Sequence, residues 1–193
     1  MPKVALTAIA DISQTALDSV QSEFGIPAAY TDYREMLDKE ELDAVSICTP
    51  NKYHAPAAIY ALQKGVHVFC EKPMALHAAE AQLMLEASKA PGKILSIGFH
   101  YRHMAQAQAA KRVIAACEIG HVYMTRVQAL RRRGIPTWGV FTNKELQGGG
   151  ALVDFGVHLL DLALWLIGNP KVIEVPFFHP QGPSILFNDE NHP

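Results

Sequence analysis

Cysteine is scarce in this sequence: Cys48, Cys70 and Cys117 are the only three, and they show no metal-ligand spacing. A structural zinc is therefore not expected, and no metal is assigned to any residue. Cys48 and Cys70 lie in apolar, strand-like runs, which predicts reduced, buried thiols in a reducing compartment. A large excess of charge of one sign is missing too. The formal net charge is -2, and the one dense basic run, Arg131–Arg133, reads as a solvated edge, so nucleic acid is not an expected partner. The start, MPKVALTAIADIS, lacks the positive region, apolar run and small-residue cleavage site of a secretory signal. The longest apolar stretch, residues 148–168, is divided by Asp161 and is expected to be too short and too polar to cross a bilayer. No membrane and a cytoplasmic location are the corresponding expectations. There is no internal repeat and no low-complexity segment.

What is present is the composition of a globular chain: 193 residues, 49% hydrophobic and 19% charged, enough for a real core in one or two domains. Up to about residue 98, short apolar runs alternate with amphipathic windows, the pattern of a mostly parallel sheet with helical crossovers. Strands are predicted at Val4–Ala10, Ala28–Tyr30, Ala44–Cys48, Val66–Cys70 and Ile94–Ile97. Helices are predicted from Ser13 to Phe24, closed by Gly25; from Asp32 to Leu37; from Ala55 to Lys64, closed by Gly65; and from Ala78 to Lys89. After Gly98 the character changes. A helix over Ala105–Cys117, a long strand over Val122–Leu130, a loop through Gly134, Pro136 and Gly139, a glycine-led helix and a strand at Val172–Val175 form a second unit, and the Pro-, Asn- and Asp-rich end reads as a loop or tail.

The glycine-led helix carries the most informative residues. In GGGALVDFGVHLLDLALWLIG, residues 148–168, Asp154, His158 and Asp161 interrupt an apolar run at spacings of four and three. On a regular helix those positions fall within an arc of roughly 60°. The surrounding leucines and aromatics predict a helix buried on several sides, so this polar strip needs partners or a wet cleft. One reading is structural: Asp154 caps the helix, Asp161 meets an arginine and His158 is a satisfied core histidine. The other is a site.

In doubly wound sheets, ligands bind beyond the carboxyl ends of the strands. Here those ends carry Asp11; then Thr49, Pro50, Asn51 and His54; then Glu71, Lys72 and Pro73. An acid at the end of a second strand hydrogen-bonds the ribose hydroxyls of an adenine dinucleotide and disfavours a 2'-phosphate, although Asp11 also suits a helix start. A lysine at a strand end, held by the turn that Pro73 fixes, can stabilise a substrate oxygen as charge develops; a local ion pair of Glu71 with Lys72 is the alternative.

TPNKYH at 49–54, CEKPMAL at 70–76, GFHYRHM at 98–104 and GGGALVDFGVHLLD at 148–161 occur in the order found in the Gfo/Idh/MocA family of NAD(P)-dependent oxidoreductases, which the chain resembles from about Val4 to Val175. The resemblance implies a Rossmann domain (1–98) followed by an open α/β domain (99–193). It also implies transfer of a hydride between a nicotinamide cofactor and a CH–OH carbon of a sugar or polyol. By the same resemblance Lys72, Asp154 and His158 match the catalytic trio. Asp11, Thr49, Pro50, Asn51, His54, Glu71 and Lys72 fall on cofactor-contacting positions, and Trp138 flanks the nicotinamide or substrate. NAD is the implied cofactor ahead of NADP, and dimers or tetramers are common in the family. His158 suits the general base, because loss of hydride from carbon requires the attached hydroxyl to lose its proton. Asp161 is expected to anchor the helix. Residues 131–141 lead into the glycine-rich turn, and their arginines are expected near the substrate.

The resemblance is not complete. No GxGxxG turn opens a helix after a strand, and the second domain is short, so the expected fold is an incomplete Rossmann-type parallel sheet followed by an incomplete open-sheet α/β domain in a chain truncated at both ends. Beside the dehydrogenase two other classes stand open: a non-catalytic or defunct nucleotide-binding regulator, and an NAD-assisted glycosidase.

Overall fold

The computed structural model of the protein describes residues 4–89, 92–128, 130, 134, 136, 139–175 and 186–187. Trp138 and Arg131–Arg133, expected near the substrate, lie outside them. The chain divides into two compact units: Met1–Gly98 with Ile135–Asp154, and Phe99–Gly134 with Phe155–Pro193. Residues 135–154, expected in the second domain, thus return to the first unit.

The first unit opens with β1 (Ala8–Ala10), shorter than the Val4–Ala10 expected, and α1 (Gln14–Phe24). Ser13 accepts a hydrogen bond from the Ala16 amide at the helix start, and Gly25 ends the helix at φ 64°, a left-handed conformation that glycine adopts without a Cβ clash. There follow β2 (Ala28–Tyr30), α2 (Tyr33–Lys39), β3 (Ala44–Ile47), α3 (His54–Gln63), β4 (His67–Cys70), α4 (Ala78–Lys89) and β5 (Leu95–Ile97). Asp32 starts α2 by accepting from the Arg34 amide at 2.8 Å.

All strand pairs in this unit are parallel, in two ladders: β1 with β2, and β3–β4–β5. Both share one core, because Ala8, Ala10 and Tyr30 of the first ladder pack on the cluster that holds Ile47, Val68 and Cys70 of the second. The core's floor is α3, where Ala55, Ala57, Ala58 and Ala61 let the helix lie close and Leu62 is fully buried. Burial of such a leucine contributes about 1.5–3 kcal/mol. Met84 of α4 is buried as fully.

One ladder bond continues past the end of β1, β4 and β5: the Asp11 amide donates to the Tyr30 carbonyl (3.1 Å), Glu71 to Ile47 (2.9 Å) and Gly98 to Cys70 (2.8 Å). Within each ladder these bonds hold the start of the following turn at the carboxyl end of the strands.

The second unit holds α5 (Ala105–Ala115), α7 (Val157–Leu166) and the antiparallel pair β6 (Val172–Glu174) with β7 (Leu186–Phe187); the short α6 (Lys144–Gln147) belongs to the first unit. Lys111 of α5 donates from Nζ to the carbonyls of Trp165 (2.6 Å) and Leu166 (3.1 Å), closing the end of α7. The long strand expected over Val122–Leu130 does not form: 122–128 and 130 make no ladder, and Tyr123, Met124 and Leu130 are exposed. β propensity forms a strand only where a neighbouring strand supplies the other half of the hydrogen bonds. Nor is α7 buried on several sides. His158 is its one buried residue, and Leu160 remains exposed.

Two expectations about composition are corrected. The helical run Lys144–Leu166 has 23 residues and a mean hydropathy of 1.4, so it is long and apolar enough to cross a membrane by length and composition, a test that core helices of soluble domains also pass. Its acids at 154 and 161 are each ion-paired within their own unit, where a bilayer interior offers a carboxylate no such partner. Of the three free thiols only Cys70 is buried, while Cys48, one residue past β3, and Cys117 are exposed. Burial pushes the Cys70 thiol up to about 12. Alkylation of the native chain at about pH 8 should label Cys48 and Cys117 within minutes and leave Cys70 unmodified until denaturant is added, as read by peptide mass spectrometry. Prompt labelling of Cys70 would contradict this packing.

Candidate functional site

Lys72 follows β4 in the turn Glu71–Lys72–Pro73, which contains a cis peptide before Pro73. Its Nζ donates to the Asp154 carbonyl at 2.8 Å and to Asp154 Oδ1 at 2.9 Å, so residues 82 apart in sequence meet inside the first unit. The ammonium has three N–H groups. Two are aimed at Asp154, which leaves one for a further acceptor. Asp154 therefore does not serve as the helix cap that one reading of the sequence allowed.

The Ile135–Asp154 segment that brings Asp154 here is tied down at several points. Asn51 Nδ2 donates to the Gln147 carbonyl at 3.0 Å, and Lys52 Nζ pairs with Glu145 at 2.5 Å. At Gly148, where φ is 76°, a Cβ would run into the Leu76 side chain. Gly148 thus has a conformational and a steric reason, and at Gly149 a Cβ would meet Val153, whereas at Gly150 nothing stands in the way. Gly98 has a similar reason, since a Cβ there would stand 3.2 Å from Glu71 Oε1. Glu71 Oε2 also accepts from the Lys72 amide at 3.2 Å, which holds the carboxylate beside the turn.

The remaining candidates in this unit divide into two kinds. Asp11 is exposed just past β1, with Oδ1 accepting from the Ser13 amide at 2.7 Å, so its helix-start role is real and its second oxygen remains open. Thr49 Oγ1 is buried without a hydrogen-bond partner, an orphaned polar atom at the carboxyl end of β3. Pro50 precedes the short 3-10 turn Asn51–Tyr53. His54, expected at a cofactor-contacting position, is fully buried, and both ring nitrogens face main-chain carbonyls, Pro73 at 2.7 Å and Thr49 at 2.9 Å. A ring enclosed in this way is closed to a ligand.

His158 lies in the second unit at the first turn of α7. Tyr101 stacks on its ring at 4.9 Å and 23°, His100 meets it edge-on at 4.8 Å, and Phe99 stands at 6.5 Å. These rings come from the turn after β5, in the GFHYRHM stretch, to which the sequence alone assigns no role. The signal was there, three consecutive rings just past a strand end. Arg102 of the same turn forms a two-pronged ion pair with Asp161, Nε donating to Oδ2 at 2.7 Å and the guanidinium's other arm to Oδ1. That hydrogen-bonded pairing raises the Arg102 pKa further above its ordinary value. Asp161 anchors α7, as its position in the sequence led us to expect.

The regular helix assumed for residues 148–168 is also corrected. Leu152–Gly156 is a π-helical turn and only Val157–Leu166 is α-helical, so Asp154, His158 and Asp161 are not phased on a single 60° strip. Asp154 points to Lys72, His158 to the aromatic turn and Asp161 to Arg102.

A carboxylate open at the end of β1, an orphaned hydroxyl at the end of β3 and a lysine at the end of β4 occupy strand-end positions, where parallel α/β sheets take ligands; they suit the hydroxyl groups of a dinucleotide, while the sequence holds no GxGxxG turn to take its pyrophosphate. Comparison with known proteins agrees. Residues 1–99 match the family model described as an oxidoreductase family with an NAD-binding Rossmann fold, and residues 107–181 match a GFO/IDH/MocA C-terminal domain. The chain is 39% identical to D-glucoside 3-dehydrogenase of Escherichia coli over 170 residues, 88% of this chain and 48% of that protein. Among solved structures it is similar to a probable dehydrogenase from Thermotoga maritima, with a TM-score of 0.76 at 28% identity over 88% of this chain and 49% of that one. It is also similar to a levoglucosan dehydrogenase in complex with NADH and levoglucosan, with a TM-score of 0.71 at 30% identity over 84% and 44%. The chain spans about half the length of the curated relatives it matches. With the two family models matched in order over residues 1–99 and 107–181, the chain belongs to the Gfo/Idh/MocA oxidoreductase family.

Proposed function

We propose that the protein acts as a nicotinamide-dependent oxidoreductase on a CH–OH carbon of a sugar or polyol, with Lys72, Asp154 and His158 as its catalytic residues. The observation that carries this reading is the Lys72–Asp154 contact, made across 82 residues with one ammonium N–H left over. A structural ion pair does not need a lysine fixed by two acceptors at the mouth of a parallel sheet; a substrate oxygen that gains negative charge does. The names of the matched proteins support the substrate class: D-glucoside 3-dehydrogenase, levoglucosan dehydrogenase and myo-inositol 2-dehydrogenase all refer to sugars or polyols.

A bound nicotinamide supplies the hydride acceptor or donor. Asp11 holds ribose hydroxyls, and its charge disfavours a 2'-phosphate, which selects NAD over NADP. Thr49 Oγ1 gains the partner it lacks, and Pro50, Asn51 and Glu71 shape the strand-end turns against the cofactor. In this reading His158 is the general base for a substrate hydroxyl, Lys72 offers its remaining N–H to a substrate oxygen, and Asp154 holds the ammonium. The reading places the protein in the cytoplasm, where NAD and small sugars are available.

Calorimetric titration of NADH into the 193-residue chain, followed by turnover of NAD with a panel of sugars and polyols, tests this reading. Micromolar NADH binding is expected, with net reduced nicotinamide formed on at least one substrate. Asp11→Ser should cut the preference for NADH over NADPH by about tenfold. A folded chain that binds no NADH would overturn the proposal, and release of sugar without net cofactor change would replace it with an NAD-assisted glycosidase.

A further inference from the structure

His54 is the most enclosed polar side chain of the first unit, at 0% exposure. Its two nitrogens reach the main-chain carbonyls of two different turns: Nδ1 to Pro73 at 2.7 Å and Nε2 to Thr49 at 2.9 Å. The first of these turns follows β4 and carries Lys72; the second follows β3 and carries Asn51, which holds the segment leading to Asp154. Among the described residues no other side chain hydrogen-bonds to both turns. A carbonyl oxygen can only accept, so each hydrogen bond of this bridge has to come from a ring N–H: the neutral ring donates to one of the two carbonyls and lies against the other, and only the imidazolium donates to both. A hydrophobic residue of the same size fills the space and donates nothing.

We propose that His54 is a positioning residue, not a cofactor contact: it braces the Pro73 carbonyl against the Thr49 turn and so fixes the direction in which Lys72 leaves its turn toward Asp154. The chain of contact is short. Pro73 is the next residue after Lys72, so a carbonyl that swings there rotates the backbone from which the lysine stem departs. Lys72 Nζ meets Asp154 through hydrogen bonds of 2.8 and 2.9 Å, and a displacement of one ångström at the turn breaks both. The kinetic consequence rests on the dehydrogenase reading above, whereas the geometric consequence, the aim of Lys72, does not.

The test therefore uses two readouts on His54→Phe and His54→Gln in the full chain. Reductive methylation quantified by mass spectrometry reports the reactivity of Lys72 against that of Lys93 in the same sample. In His54→Phe, Lys72 should react about fivefold faster as its pairing with Asp154 loosens, and His54→Gln, which restores one donor, should recover part of the protection. On the substrate found in the panel, kcat should fall about tenfold or more in His54→Phe, with KM changed by less than about twofold. A folded His54→Phe chain in which Lys72 reacts at the wild-type rate overturns the proposal. If the phenylalanine variant does not fold, the wild-type chain still decides by NMR: a His54 ring N–H that persists against solvent exchange, identified by its loss in His54→Gln, supports the brace, and its absence overturns it. Should the wild type itself show no turnover, the dehydrogenase reading fails while the methylation result still settles the role of His54.

Discussion

Lys72→Met should lower kcat by about 10²–10³-fold while the chain keeps its fold and its affinity for NADH within about threefold. Methionine keeps most of the aliphatic stem but removes all three N–H groups. The two aimed at Asp154 hold the lysine in place, and the third is the one the proposed chemistry uses. Because the effect falls on an oxygen that becomes charged only as hydride leaves, it should appear in kcat more than in KM. Lys72→Arg should fare little better, since a planar guanidinium cannot take the place of a compact ammonium between two acceptors on one residue. Steady-state rates of cofactor reduction, beside a cooperative thermal melt for each variant, check this. A folded Lys72→Met chain with turnover within about threefold of wild type would remove Lys72 from the chemistry and leave its contact with Asp154 as a structural link between distant segments.

The second large effect is expected at His158. His158→Ala should fold, since α7 is still anchored by Arg102–Asp161 and closed by Lys111, and should lose turnover by about 10²–10⁴-fold, the usual contribution of a general base. The stacked Tyr101 ring and the edge-on His100 fix the plane of the imidazole, a geometry that suits proton transfer in a set direction. The pH dependence gives a sign. A base works only when unprotonated, so the wild-type rate should fall on acidification. The residual rate of His158→Ala should lack that acid limb. Retention of the limb in the variant would assign it to another group, and unchanged turnover would remove His158 from the mechanism.

Much of the first unit was legible in the sequence because its signals are local. Ser13 and Asp32 start helices through bonds to amides two or three residues on, and Gly25 and Gly65 stop them through positive φ, at 64° and 78°. Such interactions close within one turn of chain and need nothing from the rest of the fold. The extent of α4 was equally legible, Ala78–Lys89 as expected. Errors came where an element depends on a partner. Val122–Leu130 has the composition of a strand but pairs with none among the described residues, and the apolar faces of α7 predict burial although Leu160 is exposed. The π turn at Leu152–Gly156 broke the arithmetic that put three polar residues on one strip, because a helix period is an assumption until the backbone is seen.

The candidate site divides along the same line. Sequence alone determined the residue types and their order, Asp11 and Thr49 at strand ends, Lys72 before a proline, Asp154 and His158 four apart, and so the family and the class of chemistry to look for. Tertiary structure decided which of them meet. Only the fold brings Lys72 to Asp154, turns His54 inward onto two carbonyls, rings His158 with Tyr101 and His100, and ties Asn51 to the segment before the π turn. The physical reason is range. Caps, turns and periodicity are set by bonds between near neighbours in the chain, whereas a contact between residues 82 apart depends on every packed element that lies between them, and no short stretch of sequence encodes it.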